Sequence, residues 1–405
     1  TLSAHLNIAS NGTLNLLTGG DKIINSARIL TNNGTVNWAA GNIALAGTSL
    51  IKNFGNFTQT GTNGVSNGSG SNEFLNEATG TFTKSSIGNS NFGIPFKNLG
   101  IFNADAGNVL FSATSSTQTG SVLRARNGAS IQCPAIFVCS GSPTVELANG
   151  SFVSTSQLLL SNGTNLTGSG TYTFNSFPLT NEGCIFNPGI TTPGILNLNG
   201  LQPFNSNTRV IIDILNNTGA GTGNDQLQRS GNLTLAGTLT VNETGSVPLG
   251  TYTIVQLLSG NISGNFSSIN LPPNYTLNIN STSVTVTKTC IVTNPTITAS
   301  GPLSFCEGGS VTLTSSAATN NLWSTGETTQ SITVNSSGSY TVTYNDGNGC
   351  NGISIPAIVT VNPIPAAPVI TPQGSTDICI GSSVILQSDL QDGILWSNNV
   401  SGPST

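Results

Sequence analysis

Reactive side chains are sparse in this sequence, and the commonest of them are acids: 15 Asp and Glu against 10 Lys and Arg and a single His in 405 residues. A pair of carboxyl groups within about 5–10 Å could hydrolyse glycosidic bonds. Asp21, Glu73, Glu77, Asp105, Glu146, Glu182, Asp213, Asp225 and Glu243 are candidates, yet they share no regular offset that would gather them. Glu73 and Glu77 are nearest in sequence and fall in a loop-like Asn/Ser/Gly stretch. A Ser–His–Asp or Cys–His relay needs an oriented imidazole, and His5 would have to supply it alone; it reads as a surface or strand residue. The expectation is that no residue is catalytic. For metals, the calcium-roll pattern Gly-Gly-x-Gly-x-Asp and the EF loop are absent. Asn345-Asp346-Gly347-Asn348-Gly349 reads as a tight turn first and a calcium loop second. The seven cysteines lack Cys-x-x-Cys spacing, which argues against zinc. No metal site and no cofactor are expected.

Two other residue patterns could bind rather than react. Thr58/Thr60, Thr81/Thr83, Thr171/Thr173, Thr238/Thr240 and Thr251/Thr253 put two threonines on one side of a strand. Ranked on a flat face they could order water and bind ice, although Thr-x-Thr is also ordinary strand sequence. Trp38, Trp323 and Trp396 could stack on sugars. The last two each follow a cysteine by seventeen residues (323−306=17; 396−379=17), a regularity that favours core tryptophans. Trp38 alternates with Val36 and reads as inward-facing.

The elements that would carry these residues are strands. Charged residues make up 6% of the chain, against about a quarter in average domains, while hydrophobic residues reach 36%. Such a chain folds, with Thr suited to strands and Gly and Asn to the turns between them, and is expected to be mostly β. A net charge of −5 without a basic cluster excludes nucleic acid as a partner. Apolar runs stay as short as Val210-Ile211-Ile212, so no transmembrane segment is expected.

Gly231-Asn232-Leu233-Thr234-Leu235-Ala236-Gly237-Thr238-Leu239-Thr240-Val241-Asn242 states the local rule most cleanly. Leu233, Leu235, Leu239 and Val241 alternate with polar or small residues, and Gly237 marks the turn. Glycine followed by such a run recurs at Gly12, Gly34, Gly55, Gly80 and Gly100, with offsets of 34−12=22, 55−34=21, 80−55=25 and 100−80=20. Strands this short bury an apolar face only by stacking on neighbours, which predicts a parallel β-helix, right-handed by the crossover rule, over residues 1–288. An antiparallel meander with turns every eight to twelve residues is the alternative. Asn at many turns favours the solenoid, because it tolerates left-handed φ and can ladder with Asn in the next coil.

The order Asn187-Pro188-Gly189, Thr192-Pro193-Gly194-Ile195-Leu196, Asn224-Asp225-Gln226-Leu227 and Gly231–Asn242 resembles the end of the β-strand repeat regions of large bacterial surface proteins, of the autotransporter-associated and filamentous-haemagglutinin-like kind. The resemblance covers roughly Ala78 to Thr287 and implies a non-catalytic β-helix; no membrane-barrel pattern follows it. Beyond Thr289 a different repeat begins. Pro295, Cys306, Gly308, Leu313 and Trp323 recur as Pro368, Cys379, Gly381, Leu386 and Trp396, every offset being 73. This reads as tandem β-sandwiches at 294–362 and 367–405, joined through the Pro-rich Val361–Pro368. Phe305-Cys306-Glu307-Gly308, Leu322-Trp323-Ser324-Thr325-Gly326 and Gly338-Ser339-Tyr340-Thr341-Val342 are similar to Ig-like or PKD-like modules of secreted Bacteroidetes proteins, including type IX secretion cargo.

That second resemblance implies a disulfide between Cys306 and Cys350. The repeat equivalent of Cys350 would pair with Cys379 at position 423 (379+44), so the last module is expected to be truncated. Cys133 and Cys139 are close enough for a local disulfide, and Cys184 and Cys290 read as buried thiols. Together these readings predict an extracellular or cell-surface bacterial protein, a non-catalytic stalk with spacer modules, whose partners are surface glycans or other surface proteins. The rival is a carbohydrate-active β-helix with accessory modules, and an ice-binding solenoid is the lesser alternative.

Overall fold

The computed structural model describes residues 1–174, 180–200, 204–347 and 350–404. The described residues are all-β, with no helix among them, and the chain divides into two compact units, Thr1–Ile291 and Val292–Thr405.

The first unit is a parallel β-solenoid of about nine turns over residues 6–210. Each coil contributes one short strand to each of three faces. On the second face Thr13 pairs with Thr35, Thr35 with Asn56, Asn56 with Thr81 and Thr81 with Ile101. These are the offsets of 22, 21, 25 and 20 that the glycine positions predict, each glycine standing one residue before its rung. The first face is a nine-stranded sheet from Leu6–Ile8 to Thr180–Asn181. The second and third merge where the long strands Thr144–Ser154 and Asn165–Phe174 run through the corner between them.

Alternation places one side chain of each pair inside. Phe57, Phe82 and Phe102 stack in one column at ring separations of 5.4 and 5.0 Å, and Phe74 on Phe96 in another at 4.9 Å. All five are buried; each contributes roughly 1.5–3 kcal/mol by leaving water. Glycine is required where coils meet most closely. A Cβ on Gly55 would lie 2.2 Å from the Gly34 carbonyl oxygen, and one on Gly100 would lie 2.2 Å from that of Gly80.

Coils lengthen after residue 185. Arg209 pairs with Thr238 and Ile195 with Gln226, offsets of 29 and 31. Leu233, Leu235, Leu239 and Val241 are buried as their alternation predicts, with Gly237 at φ +78° in the turn between their strands. Parallel pairing reaches Ser268–Asn270. The expectation of parallel coils to residue 288 fails there: Tyr275–Ile279 and Gly250–Ser259 both pair antiparallel with Ser283–Lys288. A hairpin ends the stack because its two strands pair each other locally instead of asking for another coil.

In the second unit three small sheets surround Val311, Leu313, Trp323, Ile332, Val334, Tyr340, Val342 and Val359. The 73-residue repeat is also a repeat of register. Ile297 pairs with Ser315 and Ile370 with Ser388. The Trp323 indole donates to the Thr329 carbonyl and the Trp396 indole to that of Gly402, both at 2.9 Å.

The cysteines depart from expectation. Cys350 is bonded to Cys290, and Cys306 is a free, exposed thiol. Cys306 ends Ser304–Cys306, which pairs with Ala357–Asn362, whereas Cys350 precedes Asn351–Ile353, whose partner is Val342–Asn345. Cys306 thus ends a strand of one sheet, while Cys350, ahead of a strand of another, is taken by Cys290. Cys290 is exposed and not a buried thiol. Cys133 and Cys139 form no local disulfide: both are buried free thiols, on Ser130–Cys133 of the third face and Phe137–Cys139 of the first. Burial pushes both thiols above the usual cysteine range. Cys184 is buried, as expected.

Candidate functional site

The fold disperses most of the carboxylates into separate structural tasks. Asp105 faces Arg126 at 3.5 Å, Glu146 pairs with Arg124 at 2.9 Å across adjacent coils, and Glu243 holds the Lys288 ammonium at 2.7 Å. Asp21 accepts the Asn42 amide N–H at 3.0 Å. Glu73 lies on the strand Glu73–Asn76, paired with Leu50, and not in a loop; Glu77 follows that strand.

One pair of acids does meet. Residues 215–224 double back, so that Leu215 N–H donates to the Gly223 carbonyl and Asp225 N–H to that of Asp213, both at 2.8 Å. This return brings Asp225 beside Asp213 although their separation of twelve is no coil period. Asp225 is fully buried. Its Oδ1 accepts Gly194 N–H at 2.8 Å and its Oδ2 accepts Asp213 N–H at 2.9 Å. Burial raises its pKa to about 7, against the two N–H bonds, which pull it down, with the Asp213 charge adding to the rise. Asp213 is half-buried, accepts from Asn242 Nδ2 at 2.8 Å, and lines a small cleft of about 90 Å³ with Ile190, Thr192, Pro193, Leu215 and Thr244.

A carboxyl group with a pKa near 7 beside a second acid is the pattern of a general acid. The geometry opposes that role. Both Asp225 oxygens are taken by backbone N–H groups, and Asp225 does not line the cleft. Its evident task is to tie Thr192-Pro193-Gly194 to the strand Arg209–Ile214.

The remaining candidates scatter. His5 is exposed and its Nδ1 accepts Ile29 N–H at 3.0 Å. Thr58 and Thr83 are rung neighbours on the second face, whereas Thr171 and Thr173 belong to the third and Thr251 pairs with Thr287 in the terminal hairpin. Trp38 and Trp323 are core residues and Trp396 is buried. Asn345 and Asp346 form a turn, Asn345 Oδ1 accepting Gly347 N–H at 2.7 Å and Asp346 Oδ1 accepting Cys350 N–H at 3.0 Å; Asn348 and Gly349 lie outside the described residues. Among the described residues no three His, Cys, Asp or Glu side chains group as metal ligands, and no helix is long and apolar enough to cross a membrane.

The sequence leads one to expect asparagines laddering from coil to coil, but not which ones, nor that they lie inside. Asn32, Asn53, Asn76 and Asn98 end successive strands of the first face and point inward, all essentially inaccessible. Each donates from Nδ2 to the Oδ1 of the next, at 2.7, 2.7 and 2.8 Å, and Asn98 passes the chain to Thr117 at 3.3 Å. Each also donates to a backbone carbonyl in the following coil, as Asn76 does to Ile101 at 3.0 Å. A signal existed: Asn32, Asn53 and Asn98 stand two residues before Gly34, Gly55 and Gly100. Lys84 was also passed over. It is buried, donates to the Ser86 and Ala106 carbonyls and the Ser86 hydroxyl, and burial lowers its pKa.

The chain matches no protein-family model and no curated protein.

Proposed function

We propose that this chain is a non-catalytic stalk of a secreted or surface-attached bacterial protein: a right-handed parallel β-solenoid related to bacterial surface β-strand-repeat regions, carrying Ig-like spacer modules. The observation that supports this reading most is what the interior is made of. Columns of phenylalanine and a hydrogen-bonded file of asparagines run from coil to coil, while Glu146, Glu243 and Asp225 are bound to arginine, lysine and backbone N–H groups. A stack in which each coil contacts its neighbours transmits load along its axis and needs no reactive cluster. The low charge leaves long-range electrostatics a minor part of any recognition.

One observation favours the carbohydrate-active alternative, the Asp213–Asp225 pair beside a cleft. A panel of neutral and acidic polysaccharides incubated with the chain separates the two. The stalk reading expects no release of oligosaccharides. Release abolished by Asp213→Asn or Asp225→Asn would establish the alternative.

A further inference from the structure

The third face has one break in its regular pairing. Val65–Asn67 pairs over three residues with Ile43–Leu45 on one side, and Asn89–Phe92 pairs over four with Asn108–Phe111 on the other. Between them only Val65 and Phe92 are partners, an offset of 27 where the flanking rungs have 22 and 19. The two strands are thus slipped past one another. Asn89 and Asn91 overhang Thr62 to Gly64, and Ser66 and Asn67 run on beyond the last pair. A groove of about 590 Å³ occupies the step.

Its lining is uncharged and mostly amide or hydroxyl: Asn42, Thr62, Ser66, Asn67, Asn89 and Asn91, with the half-buried Leu110 as its apolar part. Three of the amides are held by their oxygens. Asn42 Oδ1 accepts Gly64 N–H at 2.9 Å, Asn89 Oδ1 accepts Asn108 Nδ2 at 2.8 Å, and Asn91 Oδ1 accepts the Ser112 hydroxyl at 2.6 Å. With the oxygens committed, the three Nδ2 groups are left as oriented donors on exposed residues. A set of fixed neutral donors around a short apolar strip fits a ligand rich in acceptor oxygens that also presents C–H faces. An anion would find no lysine or arginine, and a cation no carboxylate.

We propose that this groove binds a segment of a neutral glycan, with Asn42, Asn89 and Asn91 donating to hydroxyl and ring oxygens and Leu110 packing beneath a sugar ring. The proposal deepens the adhesive side of the stalk reading and rests on it only for the ligand's setting. Preorganised donors spare the ordering cost that a mobile side chain would incur on binding.

The test is calorimetric titration of the full chain with neutral hexose oligosaccharides and with their uronate and sulfated counterparts, in low and high salt. Binding of a neutral oligosaccharide that is insensitive to salt is expected. The double variant Asn89→Ala/Asn91→Ala should weaken it by about tenfold or more, two donors being lost. Ser66→Phe, which leaves every named hydrogen bond in place, should block it by filling the groove. Melting curves of both variants, measured beside the wild type, show whether the fold is intact; Ser66→Phe keeps the proposal testable should the double variant unfold. Absence of neutral-glycan binding, binding only to the acidic forms, or equal affinity in a folded Ser66→Phe variant would overturn the proposal. None of these outcomes bears on resistance to force or on catalysis, so the stalk reading stands or falls separately.

Discussion

Asp225 makes the chain's stability depend on pH in a direction opposite to that of most acids. Its carboxyl group rises from an ordinary 3.8 to about 7 in the folded state, chiefly through burial, and none of the ion pairs among the described residues involves it. A raised carboxyl pKa means that the folded chain holds a proton that the unfolded chain releases, so stability falls as pH rises. The contribution is fully present below pH 4, declines between about 4 and 7, and is gone above 7. A rise of about three pH units at 1.36 kcal/mol each corresponds to about 4 kcal/mol across that window. Asp225→Asn isolates the effect. The amide is neutral like the protonated acid and titrates nowhere in this range, but its Nδ2 cannot accept, so one of the N–H groups of Gly194 and Asp213 loses its acceptor. The variant should therefore be the less stable near pH 4 by the cost of one lost hydrogen bond, and the difference should move in its favour by about 4 kcal/mol, as an order of magnitude, between pH 4 and pH 8. Hydrogen exchange at the Gly194 and Asp213 amides, corrected for the intrinsic rate at each pH, reads the local opening free energy. Groups common to both proteins cancel in the difference. Parallel pH profiles for the two proteins, or a wild type that gains on the variant as pH rises, would refute the reasoning.

Other consequences can be checked by simpler means. Asn76→Ala removes an acceptor from Asn53 and donors to Asn98 and Ile101; with buried partners left unpaired it should cost roughly 2–4 kcal/mol in thermal or denaturant unfolding. The outward-facing, half-buried Asn37→Ala, which loses one rung contact to Asn15, should cost about 0.5–1 kcal/mol. Gly55→Ala drives a methyl group into the Gly34 carbonyl, and circular dichroism should show a large loss of β signal or of melting temperature, whereas Ala at the open Gly19 should be nearly neutral. In a native alkylation experiment Cys306 and Cys379 should label rapidly while Cys133 and Cys139 stay protected, and peptide mapping should recover Cys290 joined to Cys350. That bond closes a loop of 350−290=60 residues, so its reduction should cost about 4 kcal/mol on the chain-entropy account.

The coil was legible because backbone geometry imposes it on the sequence. Only glycine fits where the Gly34, Gly55, Gly80 and Gly100 turns stack, so the period is spelled out in glycines and the rungs follow one residue later. The buried faces were legible for the same reason, through alternation. Asparagine laddering was legible from the asparagines at the turns, but its burial was not, because Asn32, Asn53, Asn76 and Asn98 are polar and adjoin turns, where exposure is the ordinary outcome; their burial is possible only because each amide finds a partner in the next coil. The meeting of Asp213 and Asp225 depends on a chain reversal at 215–224 that carries no period. The disulfide was misread because its pairing was carried over from the resemblance, and nothing in the sequence marks Cys290, ahead of the module, as the partner that Cys350 takes. The slip at Val65 and Phe92 left a trace, the long offset of 25 between Gly55 and Gly80, whose meaning needs the strands on either side.

The stalk reading is tested most directly by pulling residues 1–288 from their two ends on a single-molecule instrument. Coils bound to their neighbours by backbone ladders and side-chain files should give a series of force barriers. Each step should release about one coil, on the order of 75 Å of chain for some 22 residues at up to 3.6 Å each, less the spacing between strands. Featureless extension without a barrier would contradict the stalk.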